Sequence, residues 1–167
     1  MDDGAAAEFS EFAYSRWPGL VRLGYGLTGD RGLAEDLAQT ALANAYASWS
    51  RVRKADDPDA YLRRILLNSY RSGFRKRRVT ENLTAAVPET AAEDPVGRNG
   101  DRAAVIAAVA ALPPKQRAVV VLRFWLDLTD AQAAAALGCS VGNVKSQASR
   151  ALAKLRASAE LADWSAR

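Results

Sequence analysis

The chain predicts an all-α protein of two small helical domains joined by an acidic flexible linker. Three observations predict it. Apolar residues recur at helical spacing between Gly and Pro punctuation, and no alternating strand pattern stands out among them. Alanine supplies much of the 49% hydrophobic content, which favours helices and thin contacts between them. Charge also comes in blocks, a basic run before residue 79 and an acidic stretch after it. The length, 167 residues, suits one ordinary domain or two small ones, and the boundaries read as 5–79, a linker over 80–101, and 102–160.

The N-terminal domain reads as four helices. The first covers about 5–16. Pro18 opens a second, about 18–28, which closes near Gly29. Asp30 caps a third, about 31–49, and Pro58, following Asp57, opens a fourth, about 58–78. On the third helix Leu33, Leu37, Thr40, Ala41, Ala45 and Trp49 can face inward. Asp36 and Gln39 fall on another side with Glu35 near them, which by itself describes an ordinary solvated face. On the fourth, Leu62, Ile65, Leu66 and Ser69 form the inward stripe. Arg64, Asn68, Arg71 and Arg75 form a basic flank, interleaved with Tyr61, Tyr70 and Phe74. Residues 61–78 hold seven basic side chains and no acid. Basic groups attract phosphate, and aromatic faces accept unstacked bases. The same residues could serve as core aromatics and a cationic helix end suited to its dipole. Crowding so many cations without an acid is costly unless a polyanion accepts them.

Residues 79–101 carry Glu81, Glu89, Glu93, Asp94 and Asp101 against a single Arg98, with Pro88, Pro95, Gly97 and Gly100. That is the composition of a linker, mobile when free. Beyond it, Pro113-Pro114 starts a helix on which Leu112, Val119, Leu122 and Leu126 share a face, so the Val119–Val121 run sits in a helical frame. Thr129 and Asp130 can cap a short helix that Gly138 ends, since glycine tolerates the positive φ of a tight helix exit. Ser140 then caps a second helix with Val141, Val144, Ala148, Ala151, Leu152 and Leu155 at helical spacing. Its other face carries Asn143, Lys145, Ser146, Gln147, Ser149, Arg150 and Lys154, and no acid occurs between Ala131 and Ala159. Helix, glycine turn and helix form a general packing solution. A solvated face usually mixes Glu with Lys, whereas a one-signed, donor-rich face suits DNA.

Several chemistries drop out. The chain has no histidine, so His-based acid–base catalysis and His metal ligands are excluded. A single cysteine, Cys139, excludes an internal disulfide and a cysteine metal cluster. No cofactor is implied. The start of the chain is acidic without an apolar signal-type run, and no stretch of about 18 apolar residues offers a membrane span. A reducing cytoplasm is the expected location.

Together the segments GDRGLAEDLAQTALANAYASW, YLRRILLNSYRSGFRKRR, LPPKQRAVVVLRFWLDLT and LGCSVGNVKSQASRAL, in this order across an acidic linker, resemble the extracytoplasmic-function sigma factors of bacterial RNA polymerase. The resemblance runs from about Phe9 to Arg156. It implies a promoter-specificity factor rather than an enzyme, with core polymerase (β′ clamp and β subunits), promoter DNA and an anti-sigma factor as partners. By motif position it places Asp36 and Gln39 on the polymerase clamp, with Leu37 holding their helix to its core. It assigns the fourth helix and the segment before it, about Ser50–Pro58, to melting the −10 element and capturing a flipped base. Asn68 matches a position used there, and Arg71 and Arg75 would track the strand. It assigns the second hairpin helix to the −35 major groove through Lys145, Ser146, Ser149 and Arg150. Ser140 and Gly142 would meet phosphate at the helix start, and Arg123 matches another phosphate-contacting position. The acidic linker would occupy the polymerase cleft and RNA-exit path.

The chain departs from the family at Ser72, where a carboxylate or amide is common, and at Gly73 within the helix. Lys145 stands where Arg is frequent and Ser149 where a bulky residue is. These departures predict different base preferences, since lysine lacks the bidentate fork of arginine. Two other classes stay open on the residues alone. One is an ordinary helix-turn-helix repressor or response-regulator output domain, which explains 102–160 and leaves AEDLAQ and the linker unexplained. The other is a magnesium-dependent nuclease using Glu35 with Asp36 or Asp56 with Asp57, although helix neighbours point apart by about 100°.

Overall fold

The computed structural model describes residues 2–83 and 100–158, without the side chains of Asp101 or of positions 74–83. Among the described residues all regular structure is helical. The helices are α1 (Asp3–Thr28), α2 (Arg31–Ala47), α3 (Trp49–Val52), α4 (Pro58–Leu83), α5 (Gly100–Ala110), α6 (Pro114–Val120), α7 (Asp130–Leu137) and α8 (Val141–Ala157), with a π-helical turn over Val121–Trp125. They fall into two compact units. One takes α1 as far as Gly24 with α2, α3 and α4; the other takes Tyr25–Asp30 with α5 to α8. The acidic stretch expected as a linker lies mostly outside the described residues.

The two helices expected on either side of Pro18 are one. Pro18 cannot donate to the carbonyl of Tyr14, a loss of about 3 kcal/mol inside a helix. Tyr14 is 87% exposed, and Pro18 and Gly19 are exposed with it, so water can reach that side. On the other side Leu20, Leu23 and Leu27 are buried at helical spacing and favour an unbroken rod. The helix ends as expected, at Gly29 with φ +69°.

The inward face of α2 is narrower than the sequence suggests. Ala34, Ala38, Ala41 and Ala45 are fully buried, while Leu33 and Leu37 are half-buried and Thr40 is exposed. Small side chains let the helices approach closely: a Cβ on Gly24 would lie 3.0 Å from Ala34 Cα. Helix α4 packs against α2 through the same unit, burying Leu62, Leu66, Leu67 and Tyr70. Each such leucine contributes about 1.5–3 kcal/mol of transfer free energy. Tyr70, expected among aromatics available to a base, is therefore core. The third expected helix breaks at Ser48, and Trp49 begins the separate turn α3.

In the second unit α5 is a helix with no counterpart among the sequence expectations; Ala108 and Val109 are buried on it. Val119, Val120 and Val121 are buried and helical. The turn that follows closes with Leu126 N–H donating to Val121 O, five residues back. That extra residue per turn shifts the frame, which is why Leu126 is only half-buried. Asp127 then takes φ +55°, and Leu128 N–H donates to Leu122 O, closing the helix end.

Candidate nucleic-acid interface

Helix α7 starts with a reciprocal cap. Gln132 N–H donates to Thr129 Oγ1 at 3.1 Å, and Thr129 N–H donates to Gln132 Oε1 at 2.9 Å. The T-x-x-Q spacing of a capping box carries this signal, and reading Thr129 and Asp130 alone misses the partner. Gly138 turns the chain at φ +66°, as expected. Ser140 caps α8 by accepting from Asn143 N–H at 3.1 Å. Both helices of the hairpin thus start from local caps.

Helix α8 packs against α6 and α7. Val144 and Ala151 are buried; Ala148, Leu152 and Leu155 are half-buried, and Val141 is exposed. The outward arc holds Gly142, Asn143, Lys145, Ser146, Ser149 and Arg150, all exposed. On a helical wheel Lys145, Ser146, Ser149 and Arg150 fall within about 140°. Gly142 is not demanded by packing, because a Cβ there would meet only Ser140 Oγ at 3.9 Å. The opening is therefore available for a ligand to approach the backbone at the helix N-terminus, where the first N–H groups favour an anion.

Arg123 is held inside its own unit. Its Nε lies 2.6 Å from Asp130 Oδ1, with the two side chains 26% and 27% exposed, and it also donates to the Leu128 carbonyl. It ties the π turn to the first turn of α7. Asp130, expected as a capping residue, is its partner.

In the first unit Asp36 and Gln39 are exposed on the side of α2 opposite the alanine face, and Leu37 is half-buried on its flank. Glu35 is engaged with Arg31 at 3.6 Å. On α4, Arg64, Asn68 and Arg71 are exposed in one line, and position 75 falls in register with them. The side chains of Phe74 and Arg75 lie outside the described residues. Asn44 donates to Ser69 Oγ at 3.2 Å, linking α2 to α4.

The segment Ser50–Pro58 is part helix. Val52 is fully buried in α3, so the loop proper is 53–57. Asp57 caps α4 by accepting from Ala60 N–H at 2.9 Å. Residues of α1 that the sequence reading passed over converge here. Phe9 and Phe12 pack on Trp49 at ring-centroid distances of 5.2 and 5.1 Å, Arg53 pairs with Glu8 at 3.2 Å, and Arg16 pairs with Asp59 at 2.8 Å.

Among the described residues no group of three or more His, Cys, Asp or Glu side chains is placed to hold a metal ion. No helix among them is long and apolar enough to cross a membrane.

Residues 13–80 match the family model for sigma-70 region 2, and residues 102–155 match that for sigma-70 region 4. The chain is 42% identical, over its whole length and 93% of the relative's, to an RNA polymerase sigma-E factor of Streptomyces antibioticus. It is 33% identical to the ECF RNA polymerase sigma factor EcfG of Rhodopseudomonas palustris, over 84% of this chain and 78% of that one. The chain belongs to the extracytoplasmic-function sigma factors. A solved structure of the sigma factor RpoE from Bartonella quintana, in complex with the anti-sigma factor NepR, covers 89% of this chain and 94% of its own. It superposes with a TM-score of 0.76 at 28% identity. This sigma factor therefore directs RNA polymerase in promoter-specific transcription initiation, and α7 with α8 lies in its region 4.

Proposed function

We propose that this sigma factor divides promoter recognition between its two units, each with one outward face. Helix α8 enters the major groove of the −35 element. Lys145, Ser146, Ser149 and Arg150 meet base edges and phosphate there, and Ser140 and Gly142 bring the helix N-terminus to the backbone. In the other unit, α4 and the loop 53–57 open the −10 element. Asn68 contributes to base capture, and Arg71 and Arg75 follow the displaced strand. Asp36 and Gln39 dock on the β′ clamp, with Leu37 seating α2.

The single observation that supports this most is the outward arc of α8: exposed, free of acid, and started by the Ser140 cap after a helix that Thr129 caps. Each unit alone binds weakly; the polymerase supplies the high effective concentration and the fixed separation that join two weak readers into one selective one. Such a factor works beside the polymerase in the cytoplasm and performs no catalysis itself. The NepR complex of the Bartonella relative supports an anti-sigma factor as a regulator here too.

Transcription in vitro from a pool of randomised promoters, with purified core polymerase, tests the reading. Enrichment of two separated elements is the expected result. Transcripts no more frequent than with core polymerase alone would remove it.

A further inference from the structure

The α3–α4 loop has little to hold it from within. Arg53, Lys54, Asp56 and Asp57 are exposed, and the backbone bonds at its start are Arg53 N–H to Trp49 O (2.9 Å) and Ala55 N–H to Val52 O (3.2 Å). Its two ends are gripped from outside by one helix. Glu8 of α1 pairs with Arg53, where the loop begins, and Arg16 of α1 pairs with Asp59, just after it ends. Eight residues separate Glu8 from Arg16, about 12 Å along a helix, so one rod spans the loop. Phe12 sits between them, with the Arg16 guanidinium 4.4 Å from its ring centroid, and Phe9 and Phe12 rest edge-on or tilted against the buried Trp49. Phe9 also contacts Tyr46 of α2 at 4.9 Å. Glu8, Phe9 and Phe12 precede the stretch that matches the region 2 model.

From this juxtaposition we infer that the stretch of α1 from Glu8 to Arg16 is a brace, with Glu8 and Arg16 as positioning residues that set the loop for capture of an unpaired promoter base. The inference rests on the proposed role of the loop. The aromatic contacts fix the helix against α3, and the two ion pairs fix the ends of the loop against the helix. Neither pair is buried, so each acts modestly; together they narrow the loop's range before DNA arrives. A loop already in place spends less binding free energy on ordering itself.

The test uses the full chain with core polymerase and two DNA probes. One is a non-template-strand oligonucleotide carrying the −10 element of a promoter that the wild-type holoenzyme selects from a randomised pool. The other is a duplex carrying only the −35 element. Glu8→Gln with Arg16→Gln is expected to weaken strand binding about fivefold, the scale of two half-exposed ion pairs, and to leave the −35 duplex and core polymerase affinity unchanged. Amide exchange at Arg53 and Ala55 in the free protein should quicken, while exchange at Gln132 and Asn143 should not. Arg16→Lys, which keeps a charge facing Asp59, should hold strand affinity close to wild type, whereas Arg16→Gln alone should lose about twofold. Unchanged strand binding, unchanged exchange in the loop, or an Arg16→Lys variant as weak as Arg16→Gln would overturn the brace. A wild-type holoenzyme that ignores the strand would instead overturn the role given to the loop, and that appears before any variant is made.

Discussion

In the C-terminal unit the outward face is one helix, and nearly everything that sets it lies within a few residues along the chain. Thr129 with Gln132, Gly138, and Ser140 with Asn143 each act across three residues or fewer. In the N-terminal unit the corresponding face is assembled from α4, the loop before it, and a helix more than forty residues upstream: Arg16 reaches Asp59, and Glu8 reaches Arg53. The helix proposed to enter a duplex groove is aimed by local caps. On the proposed reading, the surface that takes up a single strand includes a loop, and that loop draws its support from α1.

The largest effect expected from this comparison comes from the self-contained reader. Lys145→Ala with Arg150→Ala removes two outward cations from α8 without touching its buried side. Each contact of this kind is worth about 1–3 kcal/mol, so transcription from promoters that need a −35 element should fall by about two orders of magnitude. Core polymerase binding, measured by displacement of a labelled sigma factor, should not change. A matching loss in core binding would show that the two faces are not separable.

Next in size is Arg123, where the sequence assignment and the geometry pull apart. If the residue serves mainly to tie the π turn to α7, Asp130→Asn should lower both the unfolding free energy and −35 binding, because a partly buried cation loses its partner; the stability cost is about 1–3 kcal/mol. If it serves mainly as a phosphate contact, the same change frees it for DNA, and −35 affinity should rise with a steeper salt dependence. Denaturant unfolding and a salt titration of duplex binding separate the two. The geometry favours the first outcome, with Arg123 positioning the hairpin.

How much could be read in advance follows the same division. The hairpin, its caps at Thr129 and Ser140, the turn at Gly138 and the outward face of α8 were legible because each rests on local periodicity and local capping. Arg123–Asp130 was not, because a pair seven residues apart across a π turn leaves no periodic trace. In the N-terminal unit the exposure of Asp36, Gln39 and Asn68 followed from helix geometry. The burial of Tyr70 did not, since a tyrosine beside arginines reads equally as core or as a stacking surface. Pro18 misled for an energetic reason: its local cost is real, and tertiary burial of Leu20, Leu23 and Leu27 outweighs it.

A smaller effect belongs to α2. Asp36→Ala with Gln39→Ala should weaken association with core polymerase by about tenfold, the size of two rim contacts, with the helical content and unfolding midpoint unchanged. Both side chains are exposed and the helix is held by alanines on its far side, so a loss of fold is not expected. Undiminished association would take these residues out of the docking face and leave α4 as the next candidate.

The smallest and sharpest change is Gly142→Ala, because stability and function should move in opposite directions. Space exists for the methyl group, whose nearest neighbour would be Ser140 Oγ at 3.9 Å, and the position is helical with no positive φ. Alanine in a helix is favoured over glycine by up to about 1 kcal/mol, less in the first turn, so the C-terminal unit should unfold at slightly higher denaturant. The same methyl group would stand where a phosphate approaches the first N–H groups of α8, and −35 duplex affinity should fall about threefold. A variant that gains stability and keeps full affinity would mean that the start of α8 stays clear of the DNA backbone. The groove would then be read from Lys145 onward, by side chains alone.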